Sequence, residues 1–347
     1  MPEDPADRRL YLDEFRPRSQ LAAEEHLVAR PRFPVIDAHN HAWGASPAAR
    51  FVETMDRYGM AQTVILDAGL GNEFSRFVAD WVGPFGDRFL VYTNPDWDHV
   101  NEPGWPEAIA TALQGTVRRG ARGLNIPKGL GLGVRDTHGK LLAIDDPRFD
   151  PMWAQCGELG IPVCIHTGDP AAFFEPLDET NERWEELHAH PDWHFHGGDY
   201  PSLRELLEQL WRAVRKHPDT IFYGAHVGNY AEDLAYVAAM LDDCPNYYVD
   251  ISERIPELGR QPRAARRFFL EHQDRILFGT DRPATEEHVW PTWYRLLETE
   301  DEYFPYAPDP IPRQGRWRVY GLGLPYEVLE KVYHLNAERL IPGARLS

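Results

Sequence analysis

The chain has 347 residues, 43% of them apolar, and carries 36 Lys and Arg against 55 Asp and Glu, a net charge of -19. That length fits a single α/β barrel domain, and the acidic surplus excludes nucleic acid and anionic membrane surfaces, which both reward basic patches. Three scattered cysteines, Cys156, Cys164 and Cys244, make neither a metal-binding spacing nor a disulfide framework, which predicts a reducing, cytoplasmic setting. The first thirty residues hold no apolar stretch of the secretory kind, and no run approaches the ~18 apolar residues a membrane helix needs.

Residues 1–32 are charged and punctuated by proline, and read as an arm on the outside of a domain spanning 33–347. Pro34 to Ala38 is a short apolar strand running into His39-Asn40-His41. In extended chain, residues i and i+2 point the same way, so both imidazoles project to one side. Helix is expected over 47–58, where Phe51, Met55 and Tyr58 recur at helical spacing. A strand over 62–67, a helix over 71–82, a strand over 88–93, a helix over 105–119 and a strand over 121–126 follow. The glycine-rich stretch 127–133 fits neither the dinucleotide nor the P-loop pattern, and reads as a flexible active-site loop.

A helix over 150–159 leads to a strand over 161–165 that ends at His166. An insertion over 167–218 then interrupts the rhythm. It holds a histidine- and aromatic-rich turn, Trp193 to Tyr200, and a helix over 202–215. A strand over 220–225 ends at His226, a helix covers 231–241, a strand covers 246–251, and a strand over 275–280 ends at Asp281. Segment 282–323, rich in Pro and Trp, is long for a loop and is expected to be a lid or a subunit interface. Eight strands alternating with helices predict a (β/α)8 TIM barrel.

In such barrels the active site lies at the carboxyl ends of the strands. Four strands here end in groups suited to metal: His39 and His41, His166, His226, and Asp281. A lone histidine at a strand end is ordinarily structural, but four coinciding ends point to a metal site. A set rich in neutral imidazole with a carboxylate suits zinc first and manganese second.

These same elements resemble the amidohydrolase superfamily, in the branch that includes aminocarboxymuconate-semialdehyde decarboxylase and related metal-dependent hydrolases and lyases. The matching stretches are Asp37-Ala-His-Asn-His41, Ile165-His166, Gly224-Ala-His226 and Phe278-Gly-Thr-Asp281, with a closing helix from Val328 to Leu340. The resemblance covers roughly 33–341. It implies that His39, His41, His166 and Asp281 hold one divalent ion, with Asp281 and His226 as catalytic acid/base groups. It further implies hydrolysis of a small cyclic or carboxylated ester, lactone or amide by a water that the ion activates. Non-oxidative decarboxylation of an aromatic or unsaturated acid is the alternative, and a non-catalytic metal-binding barrel a remote one. Binuclear relatives commonly carry a carboxylated lysine at the end of strand four.

Lys128, just past that strand, is a candidate contact for a substrate anion, with a bridging carbamate or an exposed loop lysine as alternatives. Arg282 is placed to clamp a substrate carboxylate or to form a structural ion pair. With Arg135, these residues suggest an anionic small-molecule substrate. Trp43, Trp97, His196 and Tyr200 fall on loops at the barrel mouth and are candidates for an aromatic wall. Glu253 and Arg254 read as a salt-bridged pair. A homo-oligomer is compatible with all of this.

Overall fold

The computed structural model describes residues 9–42 and 47–346. Among them, eight strands make one parallel sheet in sequential order: β1 Val35–Asn40, β2 Met60–Ile65, β3 Phe89–Thr93, β4 Gly123–Ile126, β5 Val163–Ile165, β6 Phe222–Gly224, β7 Tyr247–Asp250 and β8 Ile276–Leu277. The chain continuing from β8 meets β1 through Ala38 N to Phe278 O at 2.8 Å and Asp281 N to His39 O at 2.8 Å. Those two bonds bring the first and last strands together, and the molecule is a (β/α)8 barrel.

Two apolar layers follow from the strand period of two. Ile36, Ala38, Val64, Leu66, Leu90, Tyr92, Cys164, Tyr223 and Leu277 fill the barrel interior. Val35, Ile65, Phe89, Leu124, Val163 and Ile276 face the surrounding helices. Helices Ala48–Tyr58, Gly71–Phe85, Trp105–Arg118 and Asp150–Leu159 form where the apolar spacing predicts them. Leu203–Lys216 opens with a capping box in which Ser202 and Glu205 satisfy each other's backbone amides.

The structure corrects one expectation. The glycine-rich stretch is a compact turn, Gly129–Leu132, with Leu130, Gly131 and Leu132 buried, and is not an exposed flexible loop. Gly131 has φ +91°, and a Cβ there would lie 2.7 Å from Leu206 Cδ2, so glycine is required by packing and by backbone.

Segment 282–323, expected to be a lid or a subunit interface, packs in large part into the core. It contains the helix Val289–Glu298, whose Trp290, Trp293, Tyr294, Leu296 and Leu297 are fully buried. Trp293 packs against Phe278, next to β8, with ring centroids 6.1 Å apart. Only part of the segment, around Glu286, Arg313 and Gln314, edges the cavity described below. The arm is anchored at its far end by His26, whose amide and Nδ1 meet Asp301 at 2.7 and 2.5 Å. Arg316 holds it nearer its start, donating to the carbonyls of Phe15 and Leu12.

Because Trp293 belongs to the core, Trp293→Ala should lower unfolding free energy by about 3–5 kcal/mol in denaturant titration. A surface lid residue would shift it by less than ~0.5 kcal/mol.

Candidate metal centre and its cavity

Strict alternation from Ile36 and Ala38 would turn His39 away from the barrel axis. The β1–β2 pairing, however, shifts register between Asp37 and Asn40. Such an irregularity re-aims side chains at a strand end. His39 thereby turns in over the barrel interior, where it is 2% exposed. Asp37 fixes the bend: its buried carboxylate accepts from the Thr280 amide and hydroxyl, the Asn40 side chain and the His39 amide. Burial pushes the Asp37 carboxyl up to about 6, and these bonds oppose the shift.

His39, His41 and Asp281 converge, each offering an atom within 4.8 Å of the others. Nε2 of His41 is 3.3 Å, and Nε2 of His39 3.8 Å, from Asp281 Oδ1. The partners fix the tautomers. His39 Nδ1 lies 2.8 Å from Asp250 and His41 Nδ1 2.5 Å from Asp67, so each Nδ1 donates to a carboxylate and each Nε2 is turned toward Asp281. Burial disfavours charge on His39, but Asp250 and Asp281 outweigh it and hold the pKa well above the ordinary value. The electrostatics of the pocket therefore favour a cation.

His166 stands to one side of that trio. His226 Nδ1 faces the Ser252 carbonyl at 3.0 Å, an acceptor only, so Nδ1 carries the hydrogen and Nε2 accepts. His226 Nε2 is 3.2 Å from His166 Nδ1, which must donate, and His166 Nε2 faces Asp169 Oδ1 at 3.4 Å. Among the described residues, His166 Nε2 and Asp281 Oδ1 are buried without a hydrogen-bond partner. His39, His41 and Asp281 are a donor set that fits a divalent cation, with the His166 ring beside it. Burial, then the His166 ring and Arg254, holds the His226 pKa well below its ordinary value, so this imidazole is neutral.

Backbone strain marks the same rim. His226, Val227, Glu253 and Asp281, which follow β6, β7 and β8, have φ between 55° and 59°. Left-handed backbone costs such residues about 1–3 kcal/mol each and persists where the surroundings over-determine it.

A cavity of about 530 Å³ opens over the set, walled by Phe173 and Trp193 on the insertion side and by Lys128, Arg183, Arg254 and Arg282. Lys128 pairs with Asp169 at 3.0 Å and lies 5.1 Å over the Trp193 ring. Arg282 is gripped by Glu253 on one edge and Glu286 on the other. Burial pushes the Glu253 carboxyl up to about 7, with Arg282 opposing and Asp281 adding to the shift.

Other expected residues lie elsewhere. Trp97 stacks on Trp105, edge-on to Phe149, covering the core beside a neighbouring cavity. His196 is exposed, with Nδ1 on the Phe174 carbonyl, and the residue of its turn that reaches the cavity is Trp193. Tyr200 is 37% exposed and packs on Phe195. Arg135 is ion-paired with exposed Asp199. Glu253 and Arg254 are not a side-chain pair, since the Arg254 guanidinium reaches only the Glu253 carbonyl. Trp43 lies outside the described residues. The sequence reading missed Asp67, Asp250 and Asp169, whose signal was a carboxylate closing, or just following, an apolar strand.

The amidohydrolase family model matches residues 23–343, and the chain belongs to that family of enzymes. The match begins inside the arm. No curated protein sequence matches the chain. Among solved structures, it is similar to an uncharacterised TIM-barrel protein from Bordetella bronchiseptica, at 19% identity over 89% of this chain and 98% of that one, TM-score 0.55. It is also similar to 5-carboxyvanillate decarboxylase from Sphingomonas paucimobilis, at 14% identity over 89% and 98%, TM-score 0.51. A third is a zinc-bound amidohydrolase from Burkholderia multivorans, at 13% identity over 88% and 98%, TM-score 0.50. These likenesses establish the shared fold. Among the described residues, no helix is long and apolar enough to cross a membrane.

Elemental analysis of protein purified without added metal should find near-stoichiometric divalent ion, and His41→Ala or Asp281→Ala should lose most of it. Asp250→Asn, which leaves the donor set intact but loosens His39, should weaken metal affinity by about 10- to 100-fold. Full retention in all three variants would remove the metal assignment.

Proposed function

We propose that the protein is a metal-dependent hydrolase of a small cyclic or carboxylated ester, lactone or amide. In this reading His39, His41, His166 and Asp281 hold one divalent ion, zinc before manganese. The observation that carries it is the convergence of His39, His41 and Asp281 to within 4.8 Å of one another, with each imidazole held at Nδ1 by a carboxylate. Zinc suits a set rich in imidazole with one carboxylate, and the similar Burkholderia multivorans structure carries zinc. When bound, the ion supplies Lewis acidity that acidifies water and polarises a carbonyl.

The chain's own residues then handle orientation and protons. Asp67 and Asp250 fix the directions of His41 and His39. Asp281 is the proton acceptor nearest the donor set, and its Oδ2 lies 3.7 Å from His226 Nε2. His226, neutral, takes the proton on from Asp281 by giving up the hydrogen bond that Nε2 accepts from His166, and passes it to the leaving group. Phe173 and Trp193 cover the cavity's apolar side and exclude water from it.

We place hydrolysis before decarboxylation because Asp281 and His226 adjoin each other beside the donor set, as a proton relay requires. Incubation with lactones and with carboxylated aromatic acids in oxygen-18 water separates the two. The hydrolase reading expects label in a product carboxylate. Release of CO2 with no label in the organic product would overturn it. His226→Asn should slow turnover by roughly 10²-fold or more with the metal still bound.

A further inference from the structure

Beside the metal cavity lies a second, smaller chamber of about 140 Å³. Glu253, Arg282, Glu286, Arg313 and Gln314 line both spaces, which therefore share a wall. The inner end of that wall adjoins the metal set, because Arg282 follows Asp281 directly. Its outer end, Arg313, is exposed. The middle is rigid: Glu253 and Glu286 hold the Arg282 guanidinium between them, and Gln314 Nε2 donates to Glu253 Oε2 at 3.1 Å. The charge of Arg282 is spent on these two carboxylates.

Away from the shared wall the chamber is mostly apolar. Ile255, Pro256, Val289, Trp293, Tyr306 and Ala307 line it, and all but Ala307 are buried. The Tyr306 hydroxyl donates to the Gly315 carbonyl at 2.7 Å, so this residue offers the chamber a ring and no free donor. Two further polar residues complete the lining, His288 and Asp309. Burial holds the His288 pKa below its ordinary value, so the ring is neutral, and Asp309 is exposed. Close-packed interiors hold few voids larger than a water molecule. An apolar space of this size admits a group roughly as large as benzene. A charged group entering it would lose its hydration without gaining a partner.

We propose that this chamber receives an uncharged, apolar end of the substrate, a ring or branched alkyl group, while the reacting carbonyl stays at the metal set across Arg282. The inference rests on the hydrolase reading and deepens it, because it assigns the part of the substrate that carries no charge. Recognition there comes from burying apolar area, and Arg282 acts as a fixed divider between the two spaces. Val289, Trp293, Tyr306 and Ala307 all belong to segment 282–323, as do Arg313 and Gln314 of the divider. That segment is therefore the specificity wall of the barrel.

The probe for the chamber is toluene, titrated calorimetrically into the metal-loaded protein. The wild type is expected to bind it. Ala307→Phe, which fills the chamber with a ring, should weaken toluene by about tenfold or more. Ala307→Val, a smaller filling that the fold tolerates if the larger one is not, should weaken it less. Benzyl acetate and methyl acetate then test the link to the substrate. Burial of the ring should give the wild type a kcat/KM ratio of about 10 to 100 for benzyl over methyl, and the variants should lower that ratio. The chamber is overturned if the wild type binds no toluene, if the variants bind it as tightly as the wild type, or if the ratio is unchanged. Incubation with esters and lactones in oxygen-18 water separates this from failure of the hydrolase reading. Toluene weakened by both variants, in a protein that incorporates no label from any of them, keeps the chamber and removes the hydrolase. Label incorporated with toluene unbound does the reverse.

Discussion

The Asp250 carboxylate, fully buried at the end of β7, is the contact on which the site depends. It accepts from His39 Nδ1, from the amides of His226 and Ser252, and from the Ser252 hydroxyl. Burial alone would raise its pKa, but the charge and hydrogen bond of His39 lead the terms that instead hold it below the ordinary carboxylate value. One anion thus ties the ends of β1, β6 and β7 together. It sets the His39 tautomer and supports the left-handed backbone at His226. Its energy comes from being saturated with donors in a place where an unpaired charge would be intolerable.

Strain and satisfaction are distributed unevenly around the rim. The β1 side is relaxed, with Asp37 and Asn40 meeting all neighbours through Thr280. The opposite side, after β6 to β8, carries the positive-φ residues together with the orphaned Asp281 Oδ1, Asn229 Nδ2 and Arg254 Nε. Structure that is costly on its own is placed where an ion and a ligand would relieve it. Family membership makes this an enzyme, and the strained residues lie around its cavity.

Much of the barrel was legible in the sequence because buried parallel strands read as short apolar runs between helices of period 3.6. The strand-end histidines were legible because a polar chelating group closing an apolar run is conspicuous. Asp67 and Asp250 carried the same mark, but each sat within a stretch read whole as strand, which hid its position at the rim. The direction of a side chain in a long crossover has no period, so the turn from Trp193 to Tyr200 was recognised while the wrong member, His196, was assigned to the cavity. The helix Val289–Glu298 was invisible for another reason. It is apolar on nearly every face and shows no stripe, and Pro291, which reads as a breaker, falls in its first turn, where a missing amide hydrogen costs nothing.

The closure of the barrel between β1 and the chain after β8 has a consequence for how the protein comes into being. Asp37 is locked by Thr280, and His39 and His41 face Asp281, across nearly the whole length of the domain. During synthesis the two N-terminal imidazoles emerge long before the carboxylate they face. No truncated fragment or early intermediate can own the complete donor set. Long-range parallel pairing is also the slow part of assembly. An ion held by this donor set would therefore be captured only at the final closing step, and would select the finished barrel over every partly built one.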